Sequence, residues 1–334
     1  MAFEVIYLHC SEKTQQEVRA VIELWQNGSP VYTVKTSGST GTPKSISLSR
    51  EQLEASAKRS NAAFGLTESA RVFMPLSPHT IGGKMMLIRA LTGNYTIEIT
   101  EPGANPLKYI DPQTAYSFVS LVPYQVKHIL EETPGKLNQF RQILLGGMGL
   151  SPELEKTLSA ISPDVFIGFG MTETVSHIAL RRMGSPVYEA LEGVELQVSD
   201  DCLVVTDQKL GITELQTNDQ VKLIDPFHFE WLGRADFVIN SGGIKIHPEN
   251  LEQAIESRIS FPFIIGGIPH ETLGEACVLI GEQILPEEKF TELQAVIREK
   301  FGKYAVPKQQ VLSPILKTEN GKIRRKEILN MLKK

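Results

Sequence analysis

The run Thr36-Ser37-Gly38-Ser39-Thr40-Gly41-Thr42-Pro43-Lys44 gathers hydroxyls, glycines and one cation in nine residues. Glycines let backbone N–H groups approach an anion closely, the hydroxyls add donors and Lys44 adds charge, which together describe a polyphosphate cradle. It is not a Walker A loop, because Pro43 separates the last Gly-Thr pair from the lysine. A polar surface loop can share this composition, so the run needs company. A second constellation is Gly168-Phe169-Gly170-Met171-Thr172-Glu173-Thr174, after an apolar stretch. An aromatic beside glycines can stack on a purine, while Thr172 and Glu173 offer hard oxygens to a phosphate and its Mg2+. A Thr-Glu pair after a strand is equally a helix cap. The third is Gly233-Arg234-Ala235-Asp236, followed by Asn240-Ser241-Gly242-Gly243, with the composition of a hinge or of a plain linker. The fourth, Asn320-Gly321-Lys322, is a turn presenting one lysine.

The elements that must carry these residues follow from periodicity. Apolar Val18, Val21, Ile22 and Trp25 predict a helix over 14–27, ended by Asn27-Gly28. The strand VYTV precedes the hydroxyl-rich stretch, which reads as loop through Ser49, where Ser49 and Gln52 can form a capping box. Strand-like RVFMPL, TIEIT, FVSLVP, QILLGG and VFIGFG then alternate with helices starting near Gly82, Tyr124 and Ser151, the last with Pro152 at N1. This alternation predicts an α/β sheet. Short alternating segments over about 190–232 (VELQVS, CLVVT, QVKLI, FHFEW) predict a small β-rich subdomain. Beyond Gly233, helices over 249–259 and 287–301, strands near Phe263 and Cys277, and a basic terminal helix predict a separate α+β unit. The fold class is therefore α/β, with a large domain over 1–234 and a small mobile α+β domain over 235–334.

Bulk numbers set the outer limits. A chain of 334 residues with 41% hydrophobic and 22% charged residues can bury two cores. A net charge of −5 without a basic face argues against nucleic acid. The terminal basic residues, Lys322 excepted, read as the solvated face of a helix. Three scattered cysteines form no disulfide or metal spacing, and the start has no basic n-region before a long apolar run. Those features point to a cytoplasmic protein without membrane insertion.

In order, spacing and wording, the four motifs resemble the adenylate-forming superfamily of acyl-CoA synthetases, peptide-synthetase adenylation domains and luciferases, along essentially all of the chain after residue 33. The resemblance implies a phosphate loop over Thr36, Ser37, Gly38, Ser39, Thr40, Gly41, Thr42 and Lys44. It implies an AMP site including Gly147, Phe169, Gly170 and Thr172, a magnesium ligand in Glu173, and ribose contacts in Asp219 and Arg234. Asp236 would be the hinge, Ser241, Gly242 and Gly243 the coenzyme A channel, and Lys322 the catalytic lysine, assisted by Thr172 and His79. ATP, Mg2+, coenzyme A and a small-molecule carboxylic acid are the implied cofactors and partners.

Within that superfamily, PLSPHTIGGKMM, FVSLVPYQVKHIL and ILLGGMGLSPELEK are most similar to the o-succinylbenzoate–CoA ligases of menaquinone biosynthesis. This implies an acyl pocket walled by His79, Ser120 and Gly146. Another aryl- or acyl-CoA ligase, or an adenylation domain loading a carrier protein, would use the same motifs. The chain departs from the family in length, with only 35 residues ahead of Thr36, and in having Thr-Asn-Asp at 217–219 where Thr-Gly-Asp is frequent. An edge left open by that shortening is one that a homodimer would cover.

Overall fold

The computed structural model describes residues 3–35, 45–147, 150, 152–318 and 323–332. A twelve-stranded sheet organises the first two thirds of the chain. Its parallel part runs in the spatial order Glu4–Leu8, Thr96–Thr100, Arg71–Met74, Tyr116–Leu121, Phe140–Leu145, Asp164–Gly170. The direction then reverses, and His177–Arg182, Val187–Ala190, His228–Arg234, Ile212–Asp225, Cys202–Asp207 and Val194–Ser199 continue it antiparallel. The β-rich stretch expected over 190–232 as a subdomain is thus continuous with the central sheet through its hydrogen bonds. Its physical cause is the tight turn after Gly170, which sends the chain back along its own strand.

The parallel strands are apolar on both sides because helices cover both faces. Val72, Met74, Ile97, Ile99 and Phe118 pack in one cluster with Val18, Met86 and Leu87. Phe73, Val119, Leu121, Ile143 and Leu145 pack in the other with Val126 and Ile129. Most helices start where capping chemistry puts them. Helix Glu12–Gln26 begins two residues earlier than expected because the Ser11 hydroxyl accepts from Thr14 N–H at 3.2 Å. Ser49 and Gln52 form the reciprocal capping box at the head of helix Arg50–Ala63. Ser45–Ser49, expected as loop, is a strand paired antiparallel to Val31–Lys35. Hydroxyl richness concealed its two-residue alternation: Ile46 and Leu48 turn inward, Ser45 and Ser47 outward.

Beyond Arg234 a second sheet forms from Ile239–Ser241, Ile244–Ile246, Phe263–His270, Gly274–Gly281 and Gln310–Leu312. It carries its own two clusters, drawn from Ile239 onward. Helix Pro248–Ile255 gives way to a 3-10 turn at Glu256–Arg258, so it is shorter than the expected 249–259. One residue of the basic end departs from the expected solvated face, while Arg324 and Lys326 keep over two fifths of their side chains exposed. Arg325, 7% exposed, donates both guanidinium ends to Glu252, at 2.7 and 2.6 Å, and reaches the Ile265 carbonyl at 2.7 Å. That pairing fastens the terminal helix Arg325–Leu332 to this sheet. No helix among the described residues is long and apolar enough to cross a membrane.

Candidate active site

Four adjacent parallel strands end on the same edge of the sheet, and the sequence-expected residues follow those ends. His79 comes after Arg71–Met74, Ser120 closes Tyr116–Leu121, Gly146 and Gly147 follow Phe140–Leu145, and Phe169 to Glu173 finish Asp164–Gly170. Ligands of open α/β sheets occupy the crevice outside such carboxyl ends. Gly147 has φ +92°, which disfavours a side chain, whereas Cβ atoms added at Gly146 and Gly147 would meet only open space. Gly146 is pinned by its N–H to the Leu121 carbonyl at 3.2 Å. His79 precedes the helix Ile81–Gly93. Its side chain is 71% exposed and its Nε2 lies 3.0 Å from Glu17 Oε1, because helix Glu12–Gln26 packs beside the helix Ile81–Gly93 that His79 precedes.

The turn after Gly170 is built under strain. Val175, fully buried and β-branched, has φ +66°, and Ser176 N–H bonds the Thr174 carbonyl at 2.7 Å across it. Gly170 admits nothing larger, since a Cβ there would collide with the Ser176 carbonyl and lie 2.7 Å from His177 Cα. Thr172 and Glu173 form the tip. Glu173 is exposed and has no hydrogen-bond or ion-pair partner among the described residues. Such a carboxylate fits Mg2+, which binds through one or two carboxylates plus phosphate oxygens. No cluster of three or more metal-ligating side chains exists among the described residues.

Phe169 connects this turn to the antiparallel strands. Its ring packs edge-on to Phe229 at 5.1 Å and to Tyr188 at 5.8 Å. Two residues past Phe229, Trp231 Nε1 donates to Asp219 Oδ1 at 2.9 Å, and Arg234, opposite Asp219 in register, reaches Oδ2 at 3.4 Å. Arg234 also bonds Asp236 at 2.8 Å, and Asp236 takes Lys326 at 3.4 Å. Burial pushes the Asp236 carboxyl up, but the hydrogen bond and charge of Arg234, with Lys326, outweigh it and hold the carboxyl below its ordinary range. Asp219, Arg234 and Asp236 are thus one connected group. Of the expected channel residues, Ser241 is fully buried, and Gly242, at φ +59°, passes so close to the Tyr304 ring that a Cβ would sit 2.6 Å from it. The expected phosphate loop, Thr36 to Lys44, and Lys322 lie outside the described residues.

One residue escaped sequence reasoning. Arg89, 2% exposed on helix Ile81–Gly93, donates to Ser176 Oγ at 2.7 Å and to the Met86 sulfur at 3.8 Å, with Nε unpartnered and no carboxylate in ion-pair range among the described residues. Desolvation pulls its guanidinium pKa down to about 10. The same burial, aided by Arg89 and Arg59, holds neighbouring His177 well below the usual histidine range, so the imidazole is neutral. Arg89 looked like one position of an apolar helix, and only the absence of an anionic partner sets it apart.

A family model described as AMP-binding enzyme matches residues 6–211. The chain belongs to the AMP-binding enzyme family. Curated relatives include the 2-succinylbenzoate–CoA ligase of Listeria monocytogenes serotype 4b (strain F2365), 25% identical over 95% of this chain and 73% of that protein. Another is the 2-succinylbenzoate–CoA ligase of Staphylococcus epidermidis (strain ATCC 35984), 24% identical over 88% of this chain and 68% of that one. Among solved structures, the acyl-CoA synthetase (AMP-forming)/AMP-acid ligase II-like protein of Dyadobacter fermentans aligns over 96% of this chain and 95% of its own length, at 34% identity and TM-score 0.65. The o-succinylbenzoate coenzyme A synthetase (MenE) of Bacillus subtilis, in complex with ATP and magnesium ion, aligns over 89% and 69% with TM-score 0.73 at 20% identity. At that identity the likeness is one of fold, and the fold is that of adenylate-forming enzymes.

Proposed function

We propose that this member of the family joins a carboxylic acid to AMP at the expense of ATP and passes the acyl group to coenzyme A, with an o-succinylbenzoate-type dicarboxylate as the acid. The carrying observation is that one continuous sheet bears both Phe169, Thr172 and Glu173, at and after the end of Asp164–Gly170, and the bonded group of Asp219, Trp231 and Arg234 on its antiparallel strands. Asp219, oriented by Trp231 and Arg234, would accept the ribose hydroxyls, and Phe169 would lie against the purine. Carboxylate attack on the α-phosphate builds charge on phosphoryl and pyrophosphate oxygens, which Lys322 and the loop over 36–44 would neutralise. Mg2+, held by Glu173, would supply charge neutralisation and in-line alignment of the phosphates. Rotation of residues 235–334 about Asp236 would then exchange Lys322 for the Ser241–Gly243 turn and admit the thiol.

Two observations favour a dicarboxylate: the names of the curated relatives and the buried, uncompensated Arg89. A buried cation with no anionic partner among the described residues is costly, and a substrate's second carboxylate would relieve it. Arg89→Met is therefore expected to raise KM for the dicarboxylate about tenfold to a hundredfold, the worth of one charged hydrogen-bonded contact, with KM for ATP unchanged. An equal rise in both would make Arg89 merely structural. The reading as a whole is tested by pyrophosphate release over a panel of acids, with coenzyme A thioester measured as product. Turnover should be greatest with o-succinylbenzoate. Activity confined to benzoate or a fatty acid would remove the narrower assignment, and thioester formation only on a carrier protein would replace coenzyme A as acceptor. Cytoplasmic residence and a homodimer across the open edge at Glu4–Leu8 belong to the same proposal.

A further inference from the structure

Thr174 directly follows the motif residues and is completely buried, yet its hydroxyl is the most connected polar atom of the turn. Thr174 Oγ1 accepts from Met171 N–H at 3.0 Å. Its single proton faces two carbonyls, Met171 at 3.0 Å and Ser176 at 2.9 Å. One hydroxyl therefore ties together both feet of the turn, with Thr172 and Glu173 at the tip between them. The tie is needed because the local backbone is not at rest: Val175 occupies a φ that β-branched residues avoid, at a cost of order 1–3 kcal/mol. Arg89 donates to Ser176 Oγ, a bond that takes no part in holding the two feet together. Nothing else among the described residues bonds the Glu173 carboxylate, so its direction follows from the backbone beneath it.

Resting on the nucleotide site proposed above, we infer that Thr174 is a positioning residue whose hydroxyl fixes the Thr172–Glu173 tip for a phosphate-bound divalent cation. It touches neither substrate nor metal. Removing the hydroxyl lets the strained turn relax and swings Glu173 off line, which weakens metal binding before it unfolds anything.

The test is Mn2+ titration of the full chain in the presence of ATP, read as the free-Mn2+ paramagnetic resonance signal, alongside melting temperature. Thr174→Val keeps volume and loses the hydrogen bonds. It is expected to weaken Mn2+ binding to the ATP complex about tenfold while remaining folded, and Thr174→Ser is expected to restore it. Should the valine variant not fold, Thr174→Cys, which keeps a weak S–H donor, is expected to fall between wild type and that loss. Unchanged Mn2+ affinity in a folded Thr174→Val or Thr174→Cys protein, or failure of serine to rescue, overturns the inference while leaving the site itself standing. Absence of ATP-dependent Mn2+ binding in wild type, or wild-type affinity in Glu173→Gln, overturns the reading of the site and the inference together.

Discussion

Asp207→Ala is expected to remove about 3–5 kcal/mol of unfolding free energy, a fifth or more of what a domain commonly has. Asp207 is wholly buried and receives Arg59 in a two-pronged pair at 2.6 and 2.9 Å, with Arg59 itself 8% exposed. Oδ1 additionally takes Leu210 N–H at 3.2 Å, closing the 3-10 turn Gln208–Leu210. Alanine would strand a guanidinium in the interior and release that turn at once. The pair matters for function because it joins the antiparallel strands to helix Arg50–Ala63, which follows directly on the hairpin bracketing residues 36–44. Gln52 reinforces the same junction through the Leu210 carbonyl at 2.6 Å. Urea unfolding followed by tryptophan fluorescence reads this part of the chain alone, since both tryptophans, Trp25 and Trp231, precede residue 235. A loss below about 1 kcal/mol would mean that the pair's desolvation cost cancels its worth. The double replacement Arg59→Met with Asp207→Leu should recover most of the loss, because apolar groups of similar volume leave no buried charge.

The pair also illustrates what could be read in advance. Helix and strand identities along the parallel half were legible because apolar spacing is local: Val18, Val21 and Trp25 declare a helix, and Ser49 with Gln52 declares its successor. The positions of Ser120, Gly146 and Phe169 followed, since a residue at a strand's end is fixed by the strand. What was not legible depends on pairing at distance. The strands Glu4–Leu8, His177–Arg182 and Val187–Ala190 were not read from the sequence and are completed by pairing with a neighbouring edge. The fusion of the β-rich region with the central sheet turns on one strained residue, Val175, whose sequence carries no hint of a positive φ. Arg325, read as solvated, is committed to Glu252 across 73 residues of sequence. Arg89 was invisible because a lone arginine in a helix ordinarily reaches solvent, and only the surrounding burial makes its charge conspicuous.

Lys322→Ala is expected to slow adenylate formation about 10²–10³-fold while leaving thioester formation from supplied acyl-adenylate within a few fold of wild type. The difference between the half-reactions follows from where charge develops. Attack at the α-phosphate loads oxygens that need a cation, whereas thiol attack on the finished adenylate expels AMP with the lysine no longer required. A connection from the described residues supports this role. Asp219, Arg234, Asp236 and Lys326 form a chain of bonds from the proposed ribose contact to the terminal helix. Lys322 precedes Lys326 by four residues in the sequence. Lys317 and Ile323, on either side of the Asn-Gly-Lys motif, pair with each other and tie down its flanks. Pyrophosphate exchange isolates the first half-reaction, and coenzyme A consumption from synthetic adenylate isolates the second. Equal loss in both would assign Lys322 to general binding, and no loss in either would separate the end of the chain from the nucleotide altogether.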